Sequence, residues 1–335
     1  MDETSFPDTE ANLAKSPLRV KLMRRLNYFL SVHPFKGSGI ISGILAKLPA
    51  FTAKGPALVS TRYGFDLICR DPIHDRGVER ALYLTGSYEA GTLDVMRASL
   101  RKGDTFIDVG ANIGVMSLFA SKIVGEDGAV YSFEPEPETF MILTENIRMN
   151  KVGNVHAHNI GLGDSKGQSL IYTNPFAGRG SASLVRPLGQ DTARAYEIRV
   201  ETLDGLVASN NLSGVRMLKI DVEGWELHVL KGAESLLRSA AAPIICIEYS
   251  ELVATDSGRR VDIYDYILSL NSYSIYKLEH GKGTPSKLVK VSEAGGLPHH
   301  DNLFCFLPWH LSGLPRNLFG PDDSRPGHLA PALRG

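Results

Sequence analysis

Two rhythms alternate along this 335-residue chain. Short apolar runs at 105–109, 129–133, 155–160, 215–220 and 244–248 read as buried strands. Between them, apolar residues at helical spacing predict helices over 113–124, 137–150, 224–238 and near 262–270, with Pro137 in a first turn. Strands alternating with helices imply an α/β, doubly wound fold, its mostly parallel sheet covered on both faces. The rhythm breaks between Gln168 and Thr202, where 170–172 and 198–200 look like strands around a Gly/Ser-rich loop at 178–183. Late strands at 273–278 and 302–307, joined by a long polar connection, supply one antiparallel edge strand. Ahead of the alternation, 18–100 is an N-terminal extension, helical first and then strand-like at 57–60 and 65–69, with a short helix at 93–100. The expected organisation is a disordered tail (1–17), this extension (18–100), the α/β domain (101–310) and a Pro/Gly-rich tail (311–335).

Composition narrows the class. Hydrophobic residues make up 43% and charged residues 22%, as in ordinary globular proteins. A formal net charge of −1 gives no bulk attraction to nucleic acid. The three cysteines, Cys69, Cys246 and Cys305, are far apart, and Cys246 and Cys305 sit in apolar runs. Neither a disulfide framework nor paired zinc ligands result, which favours a reducing, cytoplasmic setting. The N-terminus lacks the order of a signal peptide, and the apolar segment 37–46 is too short for a transmembrane helix. Residues 18–30 carry Arg19, Lys21, Arg24 and Arg25 among Val20, Leu22, Met23, Leu26 and Leu30. That pattern reads first as a helix packed on the domain with a solvated basic face, and second as a weak peripheral membrane contact. Oligomeric state leaves no signal.

The strand at 105–109 runs into Asp108-Val-Gly-Ala-Asn-Ile-Gly114, and the next strand ends on Glu134. Strand, glycine turn, helix and a strand closed by an acid make a nucleoside-binding half-sheet. A dinucleotide site needs Gly-x-Gly-x-x-Gly, whose turn holds a pyrophosphate. Here the spacing is Gly-x-x-x-Gly with a carboxylate ahead of it, which suits the cationic amino acid moiety of S-adenosylmethionine better than NAD. Asp108 faces the methionine amino group directly or through water. Gly110 and Gly114 lie under that moiety and the ribose, and Glu134 accepts the ribose hydroxyls. Asn112 is as much a helix-start device as a ligand contact. Gly163 and Asp164 follow the third strand; Asp164 either accepts from the adenine amino group or makes an Asx turn.

The densest cluster is Lys219-Ile-Asp-Val-Glu-Gly-Trp-Glu226. Asp221 closes the fourth strand at the carboxyl edge, with Glu223 beyond it, and both can steer a nucleophile or accept its proton. Glu226 suits the helix dipole, and Lys219 pairs with a sheet carboxylate. Trp225 packs or lines an acceptor pocket. His228 falls on the same helix and is a minor candidate for a base. Glu248 ends the fifth strand at the same edge. Asp221, Glu223 and Glu248 together permit a divalent metal without requiring one. His299-His300-Asp301 reads as a solvated loop rather than a metal clip.

From about Gly86 to Tyr249 the chain resembles the FkbM family of S-adenosylmethionine-dependent methyltransferases. The matching pieces are Gly86-Ser-Tyr-Glu89, Asp108 to Gly114, Phe133-Glu-Pro-Glu-Pro137, Asn146 with Asn150, Leu162-Gly-Asp164, Lys219 to Glu226, Val229-Leu-Lys-Gly-Ala233 and Ile247-Glu248. The resemblance implies a class I methyltransferase fold and methylation of a hydroxyl on a sugar or glycan, a polyketide or another small metabolite. It further implies that Tyr88 and Glu89 approach the cofactor, and that Ser181 and Ser183 sit near the acceptor. The catalytic expectation is Asp221 first and Glu223 second. The rival readings are a nicotinamide oxidoreductase and a non-catalytic module that binds cofactor or glycan. Methylation of a base amine is disfavoured, because no Asn/Asp-Pro-Pro-aromatic run stands at 221–224.

Overall fold

A computed structural model describes residues 18–32, 55–72, 74–75, 77–173, 182–184, 194–210, 212–251 and 262–320. The chain opens with helix α1 (Leu18–Val32), the hairpin β1 (Ala57–Ser60) and β2 (Asp66–Cys69), then helices α2 (Val78–Thr85) and α3 (Ala90–Ser99). Alternation follows: β3 (Thr105–Val109), α4 (Val115–Val124), β4 (Ala129–Phe133), α5 (Pro137–Met149) and β5 (Val155–His158). A small insert comprises β6 (Gly161–Leu162), β7 (Gly167–Thr173) and β8 (Arg194–Glu201), leading to α6 (Leu203–Ser209). Next come β9 (Val215–Ile220), α7 (Glu226–Lys231), α8 (Glu234–Arg238), β10 (Ile244–Ser250) and α9 (Asp262–Leu270). The chain then adds β11 (Ser274–Leu278), β12 (Leu288–Lys290), β13 (His300–Phe306) and α10 (Pro308–Ser312).

The main sheet has eight strands in the order β12-β11-β13-β10-β9-β3-β4-β5. Strands β3, β4, β5, β9 and β10 are mutually parallel. The chain enters at the centre, winds outward to β5, and returns on the other side of β3 as β9. A crevice therefore opens over the carboxyl ends of β3 and β9, the switch point of the winding. This is the class I methyltransferase arrangement that the resemblance implied. The antiparallel component is larger than expected. The 302–307 run becomes β13, antiparallel to both β10 and β11 and interior to the sheet, while the edge strand is β12, from the polar connection.

Strand residues alternate between two cores. Phe106, Met217, Cys246 and Phe304 face one side, with Leu118 and Met96, and that core continues into Val20, Val59, Leu67 and Leu82. Ile107, Leu218, Ile245 and Leu303 face the other, with Leu230 and Ile267. Such two-sided burial explains the near-continuous apolar runs of the parallel strands. All three cysteines are buried free thiols. The helix expected over 224–238 is broken at Gly232, where a Cβ would lie 1.9 Å from the Gly163 carbonyl oxygen. Asn146 and Asn150 on α5 hold the β2 backbone: Asn146 accepts from Ile68 N at 2.7 Å and donates to Ile113 O at 2.8 Å, and Asn150 accepts from Asp66 N at 2.9 Å. One side chain thus ties the N-terminal hairpin to the turn after β3.

Candidate active site

The crevice widens into a cleft enclosing about 900 Å³ of empty space, open mouth included. Its walls are the turn after β3 (Gly110, Ala111, Asn112), the start of α4, Glu134, the insert residues Ile160 to Leu162 with Ile171, Ala182 and Leu184, and Tyr88 with Lys219, Asp221, Glu223 and Glu248. Three of the four non-glycine residues with positive φ among the described residues, Glu89 (43°), Asn112 (50°) and Glu223 (51°), stand in or directly behind these walls. Strained backbone of this kind clusters at functional sites, which makes this cleft the candidate.

The turn is closed on itself. Gly110 N and Ala111 N donate to Phe133 O at 2.9 and 3.0 Å, Asn112 N to Glu134 Oε2 at 2.9 Å, Ile113 N to Asn112 Oδ1 at 2.7 Å, and Gly114 N to Ala111 O at 2.9 Å. No amide from 110 to 114 is left to cradle a pyrophosphate, as a dinucleotide would need. Gly110, at φ 79°, is required by the protein itself, since a Cβ there would lie 1.8 Å from Asp221 O. Gly114, at φ 96°, starts α4 against Leu143 and is not part of the cleft wall. Asn112 turns the chain at φ 50° and lines the cleft, while the N-cap of α4 is Gly114, with no side-chain cap.

Glu134 faces the cleft, yet each oxygen already takes a backbone amide, from Asn112 and from Glu136 (3.0 Å). Burial pushes its carboxyl up to about 7, with those two amides pulling the other way. The next acid, Glu136, caps α5 by accepting from Thr139 N at 2.6 Å. Asp108 corrects the sequence reading. It is fully buried in β3, behind the cleft wall rather than in it. Its Oδ2 accepts from the Ser117 hydroxyl at 2.6 Å, Ser117 in turn accepts from Ser132, and its Oδ1 has no hydrogen-bond donor. Burial raises its pKa against the pull of Lys219, its register partner on β9. Asp108 anchors α4 to the sheet through Ser117.

At the other end of the cleft, carboxylate oxygens of Asp221, Glu223 and Glu248 all lie within 4.8 Å of one another. Lys219 is 3% exposed and pairs with Asp221 at 2.8 Å, the sheet ion pair anticipated for it. Burial alone would raise Asp221, but Lys219 and then Lys282 hold it down at about 2. Burial, then the Asp221 and Glu226 charges, push Glu223 up to about 7. Burial and the Asp221 charge push Glu248 up to about 9. Of the three, Glu223 is the one raised to the neutral range, whereas Glu248 is raised beyond it and the expected first choice, Asp221, is held far below it.

Lys282, from the loop between β11 and β12, was not singled out by the sequence. Its Nζ pairs with Glu248 at 2.5 Å and Glu89 at 3.0 Å, and its backbone N donates to Asp301 Oδ1 at 2.8 Å. Gly91 N donates to the Lys282 carbonyl at 3.0 Å. Glu89, expected at the cofactor, stands one layer back, held by Lys282 and by Asn302 Nδ2 at 2.8 Å. Tyr88 does line the cleft. Nothing local in the segment 279–287 signals this role.

Several candidates fall away from the cleft. Asp164 is exposed, pairs with His228 Nδ1 at 2.7 Å and is not among the residues lining the cleft. Gly163 packs under Trp225, where a Cβ would lie 3.1 Å from Nε1. Trp225 stacks on His228 (centroids 3.7 Å apart) and packs rather than lining the pocket. Glu226 accepts from Val222 N and Gly224 N, both at 3.1 Å, closing the loop before α7. Ser183 Oγ donates to Glu223 O at 2.6 Å, which brings the Gly/Ser loop to the acid cluster. Ser181 lies outside the described residues. His299 pairs with Glu251, His300 Nε2 reaches Glu248 at 3.4 Å and Asp301 caps the Lys282 loop, so the three do not form a clip.

Residues 108–273 match the model of the methyltransferase FkbM domain family. Among relatives, the hexuronic acid methyltransferase AglP of Haloferax volcanii is 34% identical over 158 residues, 46% of this chain and 62% of that protein. The 31-O-demethyl-FK506 methyltransferase FkbM of Streptomyces tacrolimicus is 30% identical, covering 40% of this chain and 61% of that protein. The chain thus spans about three fifths of the length of these curated relatives. A crystal structure of the methyltransferase FkbM of Methylobacillus flagellatus is similar at 18% identity, with a TM-score of 0.39 over 68% of this chain and 52% of that one.

Proposed function

Residues 108–273 belong to the methyltransferase FkbM family, and on that premise we propose that the protein is an S-adenosylmethionine-dependent O-methyltransferase acting on a hydroxyl of a sugar, polyketide or other small metabolite. The observation that carries this reading is the single cleft with a nucleoside-type wall at one end and three converging carboxylates at the other. In this reading Glu134 and the 110–112 backbone hold the ribose side, and Met116, Ile160, Leu162 and Leu184 supply the apolar surround. The donor set fits: the turn amides are already spent, and an acid-rich cleft favours a cationic cofactor over an anionic one. When bound, S-adenosylmethionine supplies a methyl group made electrophilic by its sulfonium.

The residues of the chain then align and deprotonate the acceptor. Holding two reactants in line is worth about 7–11 kcal/mol of barrier. Glu223, near neutral in pKa, takes the hydroxyl proton at a carboxylate oxygen. Asp221, kept ionised by Lys219 and Lys282, provides fixed negative charge and orients the donor hydroxyl. With Asp221 held ionised beside Glu223, a neutral hydroxyl suits this cluster better than an anionic acceptor. The relatives named for a hexuronic acid and for 31-O-demethyl-FK506 support sugar and polyketide acceptors as the first panel.

The test is transfer of labelled methyl to sugar, glycan and polyketide alcohols, with and without chelator. The reading expects acceptor-dependent label on oxygen that Glu223→Gln abolishes. Label on nitrogen or carbon would replace the O-methyl reading, and loss of turnover on chelation would recast Asp221, Glu223 and Glu248 as metal ligands.

A further inference from the structure

Helix α1 buries one face and leaves an unusual second one. Val20, Met23 and Leu30 are buried on the inner side, where Arg24 Nε donates to Tyr83 O at 2.6 Å and Asn27 Nδ2 to Leu84 O at 3.2 Å. These contacts fix α1 on α2, the helix whose Val78 also lines the cleft. The outer side is not polar, as a surface helix should be. Leu18 is 74% exposed, Leu22 55%, Leu26 45% and Phe29 56%, a stripe at helical spacing along the outward face. Arg19, Lys21 and Arg25 are exposed beside it, and α1 contains no acidic residue. In a chain whose formal net charge is −1, this is a local concentration of positive charge around an apolar ridge.

We propose that the outer face of α1 docks this protein on an anionic lipid bilayer, with the leucines entering the headgroup boundary and the three cations meeting lipid phosphates. The argument is charge complementarity joined to the geometry of an interfacial helix: an apolar ridge flanked by basic residues, on a helix that cannot span a membrane. A protein partner or a second copy would need acids opposite Arg19, Lys21 and Arg25. A self-paired α1 would set these cations against each other. The inference is independent of the methyl-transfer reading, because it uses no residue of the cleft.

The test is co-sedimentation of the full chain with vesicles of phosphatidylcholine alone and of phosphatidylcholine mixed with phosphatidylglycerol. Binding is expected to the mixed vesicles only and to weaken with salt. Each basic residue near such a surface is worth about fivefold in affinity, so Arg19→Gln/Lys21→Gln/Arg25→Gln should lose on the order of 100-fold. Leu22→Ser/Leu26→Ser should release the protein as well, while removal of three cations elsewhere (Lys102, Lys151, Lys231) should not. All substituted positions are exposed or outward-facing, and an unchanged melting temperature confirms intact variants. Absence of vesicle binding by the wild type, or equal loss in the control variant, overturns the proposal. So does a concentration-dependent dimer that Leu22→Arg dissolves, which would assign the ridge to a second copy.

Discussion

Replacing Lys219 by methionine probes the electrostatic centre of the cleft. The ammonium is 3% exposed, bonded to Asp221 at 2.8 Å, and beside buried Asp108 in the sheet register. Methionine matches its length but leaves buried Asp108 without its cation and Asp221 with the weaker pull of Lys282 alone, a change that typically costs about 3–5 kcal/mol. The sign with pH follows from Asp221, whose folded pKa of about 2 lies below its usual 3.8. That depression contributes roughly 2 kcal/mol, present above pH 3.8 and lost as pH falls through 2. In Lys219→Met only Lys282 still opposes the effect of burial, so the Asp221 pKa rises and the variant loses further stability as pH rises through it. The destabilisation, read by urea unfolding, should therefore be about 3–5 kcal/mol at pH 7 and smaller by on the order of 2 kcal/mol at pH 4. Equal stability of variant and wild type at pH 7, or a loss that does not shrink at pH 4, would refute the reasoning.

Other outcomes follow from the same geometry. Glu223→Gln should lower kcat by about 10²–10⁴ and remove the rise of rate with pH through about 7, whereas Asp221→Asn should keep that limb but move it to lower pH, since the Asp221 charge helps to raise Glu223; the pH–rate profile distinguishes them. Glu134→Gln turns an amide N–H toward one of two backbone donors and should cost about 1–3 kcal/mol by thermal unfolding near pH 5. Because the folded pKa of Glu134 is raised to about 7, the wild type itself loses stability as pH rises from 4.5 through 7, so the gap between the two proteins should narrow by pH 8. Gly110→Ala forces a Cβ to 1.8 Å from Asp221 O at a positive φ and should destabilise by more than about 3 kcal/mol, seen as loss of soluble folded protein.

The parallel half of the fold was legible because buried strands and amphipathic helices leave local periodicity, and the turn after β3 carries its own glycine spacing. The carboxyl ends of β9 and β10 were legible for the same reason, so Asp221, Glu223 and Glu248 were found together. What escaped depends on long-range placement. Lys282 has no local signature, and only the placement of β11 parallel to β10, across β13, brings the loop after β11 to Glu248. The edge strand β12 is three residues in a polar stretch. Asp108 was assigned to the ligand because the glycine pattern follows it, although the alternation of β3 points its side chain toward α4 and Ser117. Gly110 looked like a ligand cradle, while the close approach it permits is to Asp221 of the neighbouring strand.

The central claim is that this cleft binds S-adenosylmethionine. Calorimetric titration of the full chain with S-adenosylmethionine and, separately, with NAD tests it directly. The account predicts saturable one-to-one binding of S-adenosylmethionine, weakened at least about tenfold by Glu134→Ala through the loss of hydrogen bonds to a charged group, and no binding of NAD. Saturable NAD binding, with none by S-adenosylmethionine, would contradict it.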